Sequence, residues 1–212
     1  MVQLRRAKSI NDIYVREREI LPFEGDWKAH IGCPEIRGTW FIYGHSGNGK
    51  TSYVVQMVRM LTKFGACWYL GHEEGDAESF KEALKRVGME AVRKQFKLLD
   101  DNYEEIMLRI TRRNRPRFLF VDSLQAMMLT KKEYMELEKR CTDKGIQLII
   151  IGHAEGKKPE GRLGKHIEYM AFVKIWVQGF KAFPKSRYGG TEPFIIYAKR
   201  AAEYWADITL KE

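Results

Sequence analysis

Short apolar runs alternate with helical patterns along most of the chain. Runs of consecutive apolar residues predict strands at Thr39–Tyr43, Ala66–Leu70, Phe96–Leu99, Phe118–Val121 and Gln147–Ile151. Between them, apolar residues at helical spacing predict helices at Lys50–Thr62, Ala77–Val87, Tyr103–Arg113 and Lys131–Asp143. Several strands are apolar on successive residues, which is typical of strands buried on both faces of a parallel sheet. The alternation therefore predicts an α/β fold with a mostly parallel central sheet flanked by helices.

The first part of the chain differs from the rest. Residues 1–35 carry little strand signal, and Ser9 with Asp12 forms a capping-box pattern that predicts a short helix. That helix is expected to stop at the breaking residues that follow it, Pro22 and Gly25. We therefore predict an N-terminal arm over residues 1–35 and one larger domain over residues 36–212.

The pattern changes again after Tyr169. The segments VKIWVQGFKAF and PFIIYAK are typical of strands separated by a Gly-rich turn, with no helix between them. We expect antiparallel strands to extend the sheet at its C-terminal end. Packing inside this sheet, rather than base stacking, is the expected role of the aromatic residues Trp176, Phe180 and Phe183.

The residues GHSGNGKT, from Gly44 to Thr51, fit the phosphate-loop pattern G-x-x-x-x-G-K-[ST] between a predicted strand and a predicted helix. Glycines let successive N–H groups point inward, and the helix presents its positive end to the same point. Lys50 can reach the β- and γ-phosphates of a nucleotide, and the Thr51 hydroxyl can ligate Mg²⁺. The alternative is a Gly-rich turn without a ligand. We predict ATP and Mg²⁺ as cofactors, with the nucleotide held by Gly44, His45, Ser46, Gly47, Asn48, Gly49, Lys50, Thr51 and Ser52.

Two predicted strands end in carboxylates. Asp122 follows the apolar run FLFV and is expected to hold the Mg²⁺ shell together with Thr51, although an Asp that caps the next segment is the alternative. Glu73 and Glu74 follow WYLGH, where a carboxylate can orient the attacking water. Glu73 is the better catalytic candidate of the two. The alternative is a pair of acids favoured by the N-terminus of the next helix.

Together these segments resemble the RecA-like ATPases of the RadA, KaiC and DnaB families. GHSGNGKT resembles their Walker A motif, LGHEEG the strand end that carries their catalytic glutamate, and FLFVDS their Walker B motif. The resemblance covers about residues 36–200. It implies a RecA-like P-loop fold and ATP hydrolysis, with Glu73 aligned to the catalytic glutamate and Lys50 at the γ-phosphate.

Two later segments add to the resemblance. IIIGHAEGKKPEGRLGKHIEYMA places His153 where these families have a residue that senses the γ-phosphate. KSRYGG resembles a hairpin whose lysine and arginine reach the nucleotide of the neighbouring subunit, which implies that role for Lys185 and Arg187. It also implies a homo-oligomer, either a ring such as a hexamer or a filament. The alternative for His153 is a hydrogen-bonded polar residue at a strand end. The alternative for Lys185 and Arg187 is a pair of ordinary solvated turn charges. Tyr169 departs from the pattern, since the families have an acidic residue there.

The charge favours a polyanionic partner, most plausibly nucleic acid, although many basic proteins bind nothing charged. The chain has a formal net charge of +9 and a pI of about 9.4. After His153, glycines and basic residues predict a mobile basic loop that tracks a nucleic-acid backbone, and single-stranded DNA is the expected ligand. A solvated surface loop is the alternative. The basic residues of this segment are Lys157, Lys158, Arg162 and Lys165.

These observations favour an oligomeric, Mg²⁺-dependent ATPase that acts on nucleic acid, either recombinase-like or helicase-like. A KaiC-like ATP-driven switch that works without DNA is the alternative. A small-molecule P-loop kinase is less favoured, because the HEE segment and the KSRYGG hairpin are not kinase elements. The chain shows no signal-peptide pattern, and its longest aliphatic runs, such as Leu148–Ile151, are too short to cross a bilayer. We therefore expect a cytoplasmic protein that does not engage a membrane.

Overall fold

A computed structural model describes residues 6–73 and 75–209. The strands are β1 Thr39–Gly44, β2 Cys67–Gly71, β3 Phe96–Leu99, β4 Phe118–Asp122, β5 Gln147–Glu155, β6 Lys158–Pro159, β7 Val173–Gln178, β8 Lys181–Ser186 and β9 Phe194–Ile195. The helices are α1 Ile10–Tyr14, α2 Gly25–Ile31, α3 Lys50–Leu61, α4 Glu78–Arg86, α5 Tyr103–Arg109, α6 Lys131–Lys144, α7 Gly161–Met170 and α8 Ala198–Thr209, with a 3₁₀ helix at Met89–Gln95.

The strands form one sheet in the order β3-β2-β4-β5-β1-β7-β8-β9, with β6 paired to β5. From β3 to β7 all neighbours are parallel, whereas β7, β8 and β9 pair in antiparallel fashion. The predicted α/β fold with a mostly parallel sheet and antiparallel C-terminal strands is confirmed.

The sheet is covered on both faces because successive strand residues point to opposite sides. Trp40 and Ile42 of β1 join one apolar cluster with residues of α3 and α4. Phe41 and Tyr43 join a second cluster with residues of α5, α6 and α7. Strand β1 is buried along its whole length, so its end holds the segment that follows in a fixed position.

The strand order determines where the predicted site residues meet. Strand β5 lies between β1 and β4, and β2 lies on the other side of β4. Because these strands are parallel, their carboxyl ends share one edge of the sheet. The phosphate loop and the residues that follow β2, β4 and β5 therefore converge there.

The N-terminal region contains more structure than the sequence predicts. The capping box of Ser9 and Asp12 forms and begins α1. Gly25 begins a second helix, α2, which sequence analysis missed because glycine is a poor helix former and predicts a break. Leu21, Phe23 and Ile31 are buried in the apolar cluster that contains Trp40 and Ile42 of β1. The proposed boundary between an arm and a domain at residue 35 stays a prediction.

Two other segments also differ from expectation. PFIIYAK contributes only the short strand β9, and helix α8 begins at Ala198. The predicted mobile basic loop after His153 is wrong, because the segment forms β6 and α7. Ile167 anchors α7 in the core, which explains why the segment is ordered into a helix. Within residues 6–73 and 75–209, no helix combines the length and apolarity that a membrane span needs.

Candidate active site

The phosphate loop joins β1 to α3 at the carboxyl edge of the sheet. Gly47 and Gly49 have φ angles of +74° and +95°, which residues with a side chain rarely adopt. Helix α3 begins at Lys50, and its N-cap residue Gly49 supplies no side-chain capping hydrogen bond. The positive end of a buried helix therefore faces the space beside the loop, as an anion-binding site requires.

The loop is also fixed to the turn of the β7–β8 hairpin. A Cβ atom at Gly44 would lie 2.2 Å from the carbonyl oxygen of Val177, so a glycine is needed where β1 and β7 approach. The backbone N–H of Gly179 donates to Asn48 Oδ1 at 2.8 Å, and that of Phe180 donates to the Asn48 carbonyl oxygen at 3.1 Å. The hairpin thus sets the position of the loop.

A cleft of about 290 Å³ lies against the phosphate loop. Residues of three predicted groups line it together: Lys50 and Thr51 from α3, Asp122 from the end of β4, and Glu73 after β2. The Lys50 ammonium donates to the carbonyl oxygen of His45 at 3.3 Å, which holds it over the loop. The structure therefore brings the nucleotide, metal and water-orienting candidates to one place.

Asp122 offers a fixed carboxylate in this cleft. It is only 6% exposed, and the Tyr69 hydroxyl donates a hydrogen bond to its Oδ2 atom. Thr51 lines the same cleft. Among the described residues, no group of three or more His, Cys, Asp and Glu side chains is placed to hold a metal. One carboxylate and one hydroxyl suit Mg²⁺, which takes oxygen ligands and keeps waters or phosphate oxygens in its remaining positions.

The residues of the cleft fit a nucleoside triphosphate with Mg²⁺. The loop packs closely on the hairpin, since a Cβ atom at Gly49 would lie 3.0 Å from the Phe180 ring. A helix N-terminus and Lys50 supply positive charge, while Asp122 and Thr51 supply oxygen ligands. The donor set therefore matches the group that the phosphate-loop motif predicts.

Glu73 and His153 form a pair that sequence analysis did not anticipate. His153 Nε2 lies 2.9 Å from Glu73 Oε2 and 3.1 Å from Oε1. His153 Nδ1 lies 3.6 Å from Glu160 Oε2, and the Gln125 amide oxygen accepts from the His153 backbone N–H at 3.3 Å. The His153 imidazole near the end of β5 thereby fixes the Glu73 carboxylate, which follows β2 on the other side of β4. The other candidate, Glu74, lies outside the described residues.

The surroundings of Glu73 keep it ionised. Partial burial raises the pKa of Glu73, but hydrogen bonds from His153 and Ser123 lower it, and so do the charges of His153 and Lys50. The net result is a pKa below the ordinary value of a glutamate. A carboxylate of this kind is a weak base, so it suits the orientation of a water molecule through a hydrogen bond.

A second cavity of about 340 Å³ adjoins the cleft and was not predicted. Both share Arg86, Phe180 and Arg200 in their lining, and the second cavity adds the side chains of Ile196 and Tyr197. The Arg200 guanidinium lies 5.2 Å from the centre of the Phe180 ring and 5.8 Å from that of Tyr197. A cavity with apolar and flat side chains beside a phosphate site suits a nucleobase. No local sequence pattern marks these residues, since β8, β9 and α8 bring them together.

Lys185 and Arg187 lie far from the phosphate loop of their own chain. In the strand register, Lys185 of β8 lies opposite Lys174 of β7. Val177, which is nearer the turn of the hairpin, lies opposite Gly44 of β1. The backbone N–H of Arg187 donates to the Phe172 carbonyl, and its guanidinium lies 4.2 Å from the centre of the Phe172 ring. These side chains do not line the cleft beside the phosphate loop. Their action on a neighbouring subunit stays a prediction.

The four predicted nucleic-acid residues separate into two groups. Lys157 and Lys158 line a cavity beside β7 and β8. Arg162 and Lys165 lie on α7 and do not line that cavity, and Lys165 Nζ is 3.9 Å from Glu155 Oε2. Binding of nucleic acid by these residues stays a prediction.

No protein-family model matches the sequence, and no curated protein matches it. Among solved structures, the chain is similar to a KaiC-like protein from the hyperthermophilic archaeon Pyrococcus horikoshii, with a TM-score of 0.58 and 14% sequence identity. The similarity covers 74% of this chain and 84% of that protein. At this identity the likeness concerns the fold alone. It confirms the RecA-like fold that the motifs implied.

Proposed function

We propose that the protein is a Mg²⁺-dependent ATPase. The observation that carries the proposal is the convergence of Lys50, Thr51, Asp122 and Glu73 at one cleft, with His153 hydrogen-bonded to Glu73. A phosphate loop alone indicates only nucleotide binding, whereas an ionised carboxylate opposite the loop adds a group for hydrolysis. The RecA-like fold supports this assignment.

The roles of the residues follow from their chemistry. Lys50 and the N-terminus of α3 bind the triphosphate, and Thr51 and Asp122 hold Mg²⁺, which when bound neutralises charge on the phosphate oxygens. Glu73 accepts a hydrogen bond from the attacking water and orients it toward the γ-phosphate. His153 donates to Glu73 and keeps the carboxylate ionised and in place.

We further propose that the ATPase works on nucleic acid as a homo-oligomer. The net charge of +9 and the basic residues Lys157 and Lys158 support a polyanionic ligand. The placement of Arg187 at the end of the hairpin remote from the phosphate loop supports action on a neighbouring subunit, because the side chain does not line the cleft of its own chain.

The second candidate is an ATP-driven switch that works without nucleic acid. It is favoured by the structural similarity to a KaiC-like protein. The two candidates share the cleft and differ in the ligand of the basic surface. Hydrolysis rates measured with and without single-stranded DNA separate them, since the switch is expected to be indifferent to DNA at low salt.

The test of the ATPase itself is the substitution Lys50→Ala. Loss of a charge-assisted hydrogen bond to phosphate is expected to weaken ATP binding by about 10- to 100-fold. Lys63→Ala, which removes an exposed charge just beyond the other end of α3, is the matched control and should bind ATP as the parent does. Titration with a fluorescent ATP analogue measures both. A Lys50→Ala protein with parental affinity would refute the proposal.

A further inference from the structure

We propose that the outer face of the β7–β8 hairpin is a binding groove for single-stranded nucleic acid. The groove is a cavity of about 360 Å³ beside α7. We call it the aromatic–lysine groove, and define it by Lys157, Lys158, Lys174, Trp176, Phe183 and Lys185. It rests on the nucleic-acid part of the proposed function, and it reverses the role that sequence analysis indicated for Trp176 and Phe183.

The register of the hairpin puts these side chains on one face. Trp176 is paired with Phe183, and Lys174 with Lys185, so that each pair points to the same side of the sheet. The opposite side carries Val173, Ile175 and Val177, which are fully buried. Strand β7 is therefore apolar toward the core and basic and aromatic toward the groove.

The floor of the groove is aromatic and reachable. The ring centres of Trp176 and Phe183 lie 5.3 Å apart, and both side chains are only half-buried. The Trp176 indole N–H is itself buried and has no acceptor among the described residues, so the accessible part of this side chain is its ring. Aromatic rings beside a chain of positive charges are the features with which proteins bind unpaired bases and their backbone together.

The charge of the groove is almost all of one sign. Glu168 is the acid in the lining, and it is already engaged, by the Tyr43 hydroxyl at 3.1 Å and by Lys158 at 3.6 Å. Within the described part of the chain, no carboxylate forms an ion pair with Lys157, Lys174 or Lys185. Burial lowers the pKa of Lys174, and although Glu168 raises it, the charges of Arg187, Lys185 and Lys158 lower it further. Bound phosphates would offset this repulsion between cations.

The combination favours a single strand over other polyanions. An acidic protein or a duplex could satisfy the lysines, but neither would need half-exposed rings on the floor, because duplex bases are stacked on one another. Unpaired bases can stack on Trp176 while the phosphates reach the lysines on the rim. Lysines without a fork of donors suit a backbone interaction that is independent of sequence.

Direct binding of a fluorescein-labelled 12-mer of dT by the full chain, measured by anisotropy without ATP, tests the groove. Two variants are compared, Trp176→Leu and the pair Lys157→Gln/Lys174→Gln, which both leave Lys185 intact. The control pair, Lys132→Gln/Lys139→Gln, removes the same charge from exposed positions of α6. If Trp176→Leu does not fold, which thermal unfolding will show, the lysine pair still carries the test.

The expected result is binding that weakens about 5- to 100-fold in Trp176→Leu, in line with the loss of base stacking. In Lys157→Gln/Lys174→Gln, the negative slope of log affinity against log salt should become shallower by about 1.4. This is about 0.7 for each of the two phosphates that the variant no longer neutralises. The control pair should keep parental affinity for the strand at moderate salt. A 12-base-pair duplex should bind more weakly than the single strand.

Four results would overturn the groove. These are no binding at low salt, equal loss in the control pair, equal binding of duplex, and a Trp176→Leu protein with parental affinity. A change in oligomer mass by sedimentation in the groove variants, without a change in strand affinity, would assign this face to a second copy of the chain instead. Lys50→Ala should bind the strand normally, so failure of the ATPase and failure of the groove are distinguishable.

Discussion

The phosphate loop and the β7–β8 hairpin both present lysines, but they place them in different ways. Lys50 is placed by a run of consecutive residues and by the helix that they begin. Lys174 and Lys185 meet only because two antiparallel strands pair in one register. The first arrangement can be read along the chain, whereas the second exists only in the folded sheet.

The two regions also differ in how their charge is balanced. Around the phosphate loop, Lys50 lines the same cleft as the carboxylates of Glu73 and Asp122, and His153 is hydrogen-bonded to Glu73. The hairpin face has lysines and one engaged acid, Glu168. Mixed charges at short range fix protonation states and positions, which chemistry requires, while an excess of one sign binds a polyanion. We therefore expect substitutions near the phosphate loop to affect ATP turnover, and substitutions in the aromatic–lysine groove to affect the binding of single-stranded nucleic acid.

Arg187 lies just beyond β8 of the hairpin, yet in the proposed oligomer it is expected to affect hydrolysis, because it would act on the nucleotide of the neighbouring subunit. Arg187→Ala should keep ATP affinity and lose about 10³-fold or more in hydrolysis, as expected for an arginine that acts on a neighbouring site. Arg93→Ala, an exposed arginine paired with Glu90, is the control. Steady-state ATPase assays measure the effect.

Mixing experiments test whether Arg187 acts between subunits. A mixture of Arg187→Ala and Glu73→Gln chains should recover activity, since some sites then combine an intact Glu73 with an intact Arg187 from the neighbour. No recovery in mixed oligomers, or a rate for Arg187→Ala close to that of the parent, would contradict the shared site.

Glu73→Gln tests whether the carboxylate opposite the phosphate loop is needed for hydrolysis. The amide cannot carry the negative charge that orients water, so hydrolysis should fall by about 10²- to 10⁴-fold while ATP binding is retained. His153→Ala should lower turnover less, because Glu73 remains. The double variant should be no slower than Glu73→Gln alone, since His153 acts through the carboxylate. Additive losses would show that His153 has a separate role.

The elements whose signals are local could be predicted from the sequence. Strands β1 to β5 and helices α3 to α6 follow from apolar patterns, and the phosphate loop from a contiguous motif. Their edges differ by a few residues, as in α5, which ends at Arg109 rather than Arg113. The shared edge of the sheet then follows from parallel strands.

Interactions between segments that are distant in the chain could not be predicted from the sequence. The Glu73–His153 hydrogen bond joins residues 80 positions apart, and it depends on the strand order. Arg200 reaches the cleft from α8, just after a segment whose pattern predicts a strand. The pattern of β7 shows which residues are apolar, but it could not show that the fold leaves Trp176 half-exposed.

His30 links helix α3, which follows the phosphate loop, to the segment before β9, and it makes the stability of the fold depend on pH. Its Nδ1–H donates to the Glu192 carbonyl at 2.7 Å, and its Nε2 accepts from the Tyr53 hydroxyl of α3 at 2.7 Å. Burial lowers the pKa of His30 to about 4, although the bond to Glu192 raises it. Between the ordinary pKa of 6.5 and the folded value of about 4, the unfolded chain therefore binds a proton that the folded chain does not, and stability falls as the pH falls.

The expected loss of unfolding free energy is about 3 kcal/mol between about pH 7 and pH 4 from this group. Urea unfolding at several pH values measures it, with His30→Gln as the reference. The difference in stability between parent and His30→Gln should shrink as the pH falls through this window, because acid removes the same contribution as the substitution. A constant difference would show that His30 is not the group responsible.

Asn48 gives the smallest and most specific test of the coupling between the loop and the hairpin. Its side-chain oxygen accepts from the Gly179 N–H, and its amide donates to the Ser46 carbonyl at 3.2 Å. Asn48→Ala should lose about 1 kcal/mol of stability through the missing hydrogen bond and bind ATP slightly less well. Asn48→Asp keeps the acceptor for Gly179 but places a negative charge beside the phosphates. Its stability without ATP should therefore exceed that of the alanine variant, while its ATP affinity should be the lower of the two. If both variants lose stability and affinity in the same proportion, the hairpin contact does not position the loop independently of charge.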